Sequence, residues 1–334
     1  TGNPGTTINN PSDVARFILM NILKLDASEV NLTDFDSART TLSKYKIAKS
    51  ISVRESAFQL LGGSSNKGGL ASNVFAYFFA NNVDGKIKII PGSTAIVTSG
   101  TYRSTGMHAN IIKGSYRVQS QPQRIITRIE VDTGYNAASA SDHSFVGITN
   151  VQAEAYNGEN VKEPLRILGR WLENDVRIMT LRYIGTSSLA TMTILGESED
   201  TEQKFRFTSG IASESFTVDL TGASGNTISK LRVTIDNKSF MTATVGNAVS
   251  SALDSRFLRT VHNISIATTA SVPTLVGHIK FGHGKQLAYD YLNAYDTNHD
   301  AITWKSSWVG YQQELAQYVS VRSLGEVTGR TCKI

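Results

Sequence analysis

Cysteine is nearly missing from this chain of 334 residues: Cys332 is the only one. That excludes a disulfide framework and a thiolate metal site. Long apolar runs are missing too. No stretch approaches the ~20 residues that a bilayer-crossing helix needs. The opening TGNPGTTINN has neither the basic start nor the apolar centre of a signal peptide. Charge is also low, with Asp, Glu, Lys and Arg at 18% of residues against ~25% in ordinary soluble domains. Ser, Thr, Asn and Gly fill the difference, which favours a β-rich, turn-rich protein over a helical enzyme. The net charge of +5 permits an anionic partner without requiring one. The expectation is a soluble protein or fragment made in a reducing compartment.

What is present begins with helices. In NNPSDVARFILMNILKL, residues 9–25, Asn10 suits an N-cap, Pro11 the first helical position and Asp13 the first turn. Val14, Phe17, Ile18, Ile22 and Leu25 follow at helical spacing, and Leu19, Met20 and Leu23 widen the apolar face. So broad a face predicts burial on more than one side. A second helix is expected after Thr33, with Asp36 completing its cap, burying Phe35, Ala38, Leu42 and Tyr45. A third is expected from Ser52, paired with Glu55 in an S-x-x-E box and stopped by Gly62.

After the connection GGSSNKGG, residues 62–69, the pattern turns to strands. VFAYFFANN alternates Phe75, Tyr77 and Phe79, and Asp84-Gly85 turns it into KIKII as a hairpin. Further strands are predicted over 94–98, 124–131, 176–184, 189–195, 204–208, 215–220, 230–236 and 239–245, with a short helix near 248–258. The end of the chain predicts a strand at 276–281, a helix at 285–295 and a strand at 318–323. The fold class expected is α+β and β-dominated: a small N-terminal helical subdomain, then antiparallel β-sandwich or barrel-like domains. Boundaries are expected as 1–84 helical with the start of the hairpin, 85–165 β, 166–275 sandwich-like and 276–334 mixed.

Catalytic and metal signatures fail one by one. GHGKQ, residues 282–286, is like the end of a phosphate-binding loop, but Ile279 stands where Gly is needed and Gln286 where Ser or Thr would hold Mg²⁺. DTNHDAITWKSS, residues 296–307, starts like a calcium loop, but Ala301 replaces the turn Gly and Ser307 the bidentate Glu. His278 and His283 fall on opposite faces of a strand, with His262 farther upstream. Asp142-His143-Ser144 are adjacent and cannot hold a relay geometry. Glu197, Glu199 and Asp200 sit in an obvious turn. No catalytic residue, metal site or cofactor is expected, although a carboxylate pair among the 28 acidic residues would escape this reading.

Two features point to contacts instead. Residues 85–129 hold Lys86, Lys88, Arg103, Lys113, Arg117, Arg124 and Arg128 and no acid, a candidate face for an acidic protein partner. Alternation of strand residues into water explains the same run without any partner. Specific nucleic-acid binding ranks lower because only Tyr102 and Tyr116 interleave. Trp304, Trp308 and Tyr311 form an aromatic group read as core by default, or as a sugar or subunit platform.

The order NNPSDVARFILMNILKL, NLTDFDSARTTLSKYKIAKSISVRESAFQLL, NVDGKIKIIPG resembles the central region of tail hub and tail-tip proteins of long-tailed bacteriophages. The matching residues are Asn10, Pro11, Asp13, Val14, Ile18, Leu19, Phe35, Ala38, Arg39, Asp84, Gly85 and Lys86, and RIITRIEV at 124–131 is similar to a later strand of the family. The resemblance spans roughly residues 8–131. It implies a non-enzymatic baseplate hub or tail-tip component of the virion, assembled in the host bacterial cytoplasm. It implies a homo-oligomeric ring, commonly a trimer, that closes the tail tube. The implied partners are tube, tape-measure, fibre and receptor-binding proteins, with DNA passing through and no membrane span. It also implies a segment ahead of the first helix. The alternative is a carbohydrate- or receptor-binding β-protein using Trp304, Trp308 and Tyr311.

Overall fold

A computed structural model describes residues 8–49, 55–62, 68–81, 83–92, 98–103, 110–120, 126, 128–133, 144–149, 165–173, 176–184, 189–195, 202–209, 212–219, 226–238, 241–245, 263–267, 275–295, 300–306, 318–322 and 330–333. The chain forms two compact units, one of Thr1–Leu172 with Leu287–Ile334 and one of Glu173–Gln286.

The first unit opens on helix α1, Pro11–Phe17. The Asn10 side chain accepts from the Ser12 N–H at 3.0 Å, and Pro11 occupies a position where a missing N–H costs nothing. The helix then widens into a π turn, Ile18–Ile22, in which the Leu23 N–H donates to the Ile18 carbonyl at 3.0 Å. The chain leaves through Lys24 at φ 60° while the Leu25 N–H donates to the Leu19 carbonyl. The expected burial on several sides is corrected here. Ala15, Ile18 and Leu19 are buried, but the wider turn leaves Phe17, Ile22 and Leu23 exposed.

Helix α2, Leu32–Leu42, is capped by Asn31, whose side chain accepts from the Asp34 N–H, and not by the Thr33–Asp36 pair that the sequence suggested. Its buried Phe35, Ala38 and Leu42, with Tyr45 beyond, follow the predicted spacing. In α3, Ala57–Leu61, Ser56 and Gln59 exchange the two capping hydrogen bonds at 3.2 and 3.3 Å. The predicted partner Ser52 lies outside the described residues, and Glu55 pairs with Lys49 at 3.7 Å. Helix α4 is Leu70–Asn73.

Strands β1, Ala76–Ala80, and β2, Ile87–Pro91, form the predicted antiparallel hairpin. Gly85 takes φ 71° in its turn, a backbone state glycine adopts without a steric penalty. The strands β3, Thr98–Arg103, β4, Arg117–Ser120, β5, Arg128–Thr133, β6, Ser144–Thr149, and β7, Leu165–Leu168, follow. Within that group β5 is central to a three-stranded sheet, antiparallel to β6 and parallel to β7.

The second unit is mostly strand: β8, Val176–Tyr183, β9, Leu189–Leu195, β10, Glu202–Ser209, and β11, Ala212–Asp219, precede helix α5, Ile228–Asp236. After it come β12, Met241–Val245, β13, Asn263–Ala267, and β14, Leu275–Phe281. They form a four-stranded sheet ordered β11-β10-β9-β13 and a three-stranded sheet ordered β12-β8-β14. The strand expected at 230–236 is thus corrected to a helix, capped by the Thr227 side chain. The helix expected near 248–258 falls outside the described residues.

Helix α6, His283–Tyr295, gives Leu287, Ala288 and Leu292 to the core of the first unit. Strands β15, Asp300–Thr303, β16, Tyr318–Arg322, and β17, Arg330–Lys333, complete the chain. The class is mixed helix and strand built on small sheets of two to four strands, and none of them closes into a barrel among the described residues.

Candidate interaction interface

The basic run of residues 85–129 is distributed by the fold. Lys88 is buried on β2 with its Nζ 3.7 Å from the Asp34 carboxylate. Arg128 on β5 pairs with Glu130 at 2.9 Å. Lys86 stands in the hairpin turn, where its N–H donates to the Asp84 carboxylate at 3.0 Å. Arg124 lies outside the described residues.

Arg103, Lys113 and Arg117 do come together, in a small β assembly built from distant stretches. Central β16 pairs in parallel with β3 and antiparallel with β17, and β15 pairs antiparallel with β4. Asn110 fastens the end of β3: its amide donates to the Thr101 carbonyl at 3.0 Å and its oxygen accepts the Arg103 N–H at 2.7 Å. The Ile112 N–H donates to the Lys305 carbonyl at 2.8 Å, and the Lys305 N–H donates to the Ser115 hydroxyl at 2.9 Å. Arg117 stands opposite Thr303, and Arg322 stands opposite Arg103.

These ladders hold Arg103, Lys113, Arg117 and Lys305 exposed to solvent. Lys305 escaped the sequence reading because it belongs to the C-terminal stretch and joins Ile112 and Ser115 only through tertiary backbone bonds. Apolar side chains interleave with the cations: Ile112 is 51% exposed and Val118 is 41% exposed.

Under this surface lies a small core of Tyr102, Ile111, Val319 and Val321. Trp304 packs on Tyr102 with ring centroids 5.2 Å apart, so of the three aromatics this one packs on the small core. Trp308 and Tyr311 lie outside the described residues. Burial raises the pKa of the Tyr102 phenol, which keeps it neutral beneath the cations.

The remaining motifs fall elsewhere. Gly282 to Gln286 opens α6, with the Gln286 N–H donating to the Gly282 carbonyl. His278 is on β14, His283 is buried at the start of α6, and His262, Asp142 and His143 lie outside the described residues, as do Glu197, Glu199 and Asp200. Among the described residues no group of three His, Cys, Asp or Glu side chains could hold a metal ion. Among them, too, no helix is long and apolar enough to cross a membrane. The basic surface presents cations and branched aliphatics on a strand scaffold. No protein-family model matches the chain, and no curated protein matches it.

Proposed function

We propose that the chain is a structural subunit of a bacteriophage tail tip or baseplate hub, a non-enzymatic protein that forms a homotrimeric ring closing the tail tube and docks host-attachment proteins. The observation that supports this reading is the meeting of residues on which the resemblance rests. Arg39 of α2 pairs with Asp13 of α1 at 3.0 Å, and the Asn10 amide donates to the Arg39 carbonyl at 3.1 Å. Between them the buried Ser12 hydroxyl donates to the Phe35 carbonyl at 2.6 Å. These residues act as one packing device. A sandwich-like pairing of the two sheets in the second unit belongs to the same proposal.

The carbohydrate-binding alternative needs an open aromatic platform, and Trp304 is instead packed on Tyr102. Sedimentation of the purified protein tests the assembly reading: a single ring-sized oligomer is expected, held as concentration falls. A monomer at every concentration overturns the ring. Turnover of peptidoglycan or any polysaccharide overturns the non-enzymatic part.

A further inference from the structure

Strand β4 lies in a two-stranded sheet of the first unit. Among the described residues it pairs with β15 alone, and Arg117, Val118 and Gln119 are all exposed. A two-stranded sheet is marginal by itself and gains stability from a third strand. An open edge offers a row of backbone donors and acceptors to another chain. Exposed cations on an edge also guard against unwanted pairing, so charge alone does not select a partner. The pattern along β4 does. Successive side chains point to opposite faces, which places Arg117 and Gln119 on one face and Val118 on the other.

We propose that β4 receives an extended acidic segment of a partner protein as an added strand. The segment alternates acidic and apolar residues, so that a carboxylate lies across from Arg117 and an aliphatic side chain across from Val118. Arg103 at the end of β3, Lys113 in the turn before β4 and Lys305 just after β15 are exposed and supply the field that draws in the acidic chain. The exposed Ile112 and Val118 favour a protein over a nucleic acid, because a phosphate backbone makes no use of branched aliphatics. Among the described residues of this surface Tyr102 is buried and Trp304 packs on it, so neither ring is open for base stacking.

The inference names the partner chemistry for the interface of the assembly reading, and its test is independent of the oligomer's mass. The full chain is titrated with a synthetic peptide alternating Glu and Val, with its Lys–Val counterpart, and with an oligothymidylate. The Glu–Val peptide is expected to bind, to weaken as salt rises, and to slow amide exchange along residues 117–120. Arg117→Glu is expected to weaken it by about tenfold or more, while Arg117→Lys retains most of the binding. Far-UV circular dichroism checks that both variants fold. Binding of the oligothymidylate in preference to the peptide overturns the proposal in favour of a phosphate chain. Equal binding of both peptides, protection away from β4, or no binding also overturns it.

Discussion

Tyr45 shows how one residue ties distant parts of the first unit together. Its ring is buried, its hydroxyl donates to the Asp290 carboxylate, and the Lys44 Nζ lies 2.6 Å from the same carboxylate oxygen. Burial first, and then the charge and hydrogen bond of Asp290, push the Tyr45 phenol well above its ordinary pKa. A group raised in the folded state contributes stability that is fully present below its unfolded pKa, about 10 for tyrosine, and is lost as pH rises through the folded value. Stability is therefore expected to fall as pH climbs past about 10. Tyr45→Phe should flatten that alkaline limb, though only partly, because burial also raises Tyr291. At neutral pH the same substitution should cost about 1 kcal/mol for the lost hydrogen bond. Urea midpoints measured across the alkaline range check both effects; an unchanged slope would remove Tyr45 from the account. The burial of Tyr45 was legible from its spacing with Phe35, Ala38 and Leu42. Its partner was not, because Asp290 lies 245 residues away and nothing local encodes that meeting.

Elements were legible where only one periodicity fits, and ambiguous where two do. Over 230–236 the apolar residues Leu231, Val233 and Ile235 alternate like a strand, while Ile228, Leu231 and Ile235 also mark one face of a helix. The helix wins: those three are buried and Val233 is 44% exposed, the reverse of what a period of two requires. The decisive local signal was Thr227, whose hydroxyl accepts the Lys230 N–H at 3.4 Å. The end of the first helix was equally hidden, because the π turn adds a residue and rotates Ile22 and Leu23 out of the core. That turn closes on Lys24 in the left-handed region, φ 60°, where helices ordinarily place glycine. The conformation costs an L-residue roughly 1 kcal/mol, and the Lys24 side chain is exposed. Lys24→Gly is therefore expected to stabilise the protein by at most ~0.5 kcal/mol, after allowance for the greater freedom of glycine in the unfolded chain. An upward shift of the denaturation midpoint at constant m-value is the expected reading. A decrease would mean that Lys24 makes a contact worth more than its strain.

At the scale of the molecule, the basic surface was half legible. The run was visible as a run, yet Lys88 and Arg128 are spent on Asp34 and Glu130, and Lys305 arrives from the other end of the chain. Charge spacing in sequence cannot say which cations find an acid in space. The division into two units, Thr1–Leu172 with Leu287–Ile334 and Glu173–Gln286, makes a sharper claim, because all three tryptophans, Trp171, Trp304 and Trp308, belong to the first. Tryptophan emission therefore reports that unit alone, whereas far-UV circular dichroism reports both. In the first unit the buried Asn73 amide donates to the Gly69 and Leu168 carbonyls at 2.9 and 3.0 Å, and its oxygen accepts the Trp171 N–H at 3.1 Å. Asn73→Ala strands those groups and should cost ~1–3 kcal/mol, shifting the fluorescence transition. In the second unit Ile235 is fully buried. Ile235→Ala should cost ~2–5 kcal/mol, shifting the circular-dichroism transition and leaving fluorescence in place. Coincident transitions that move together in both variants would show that the units unfold as one.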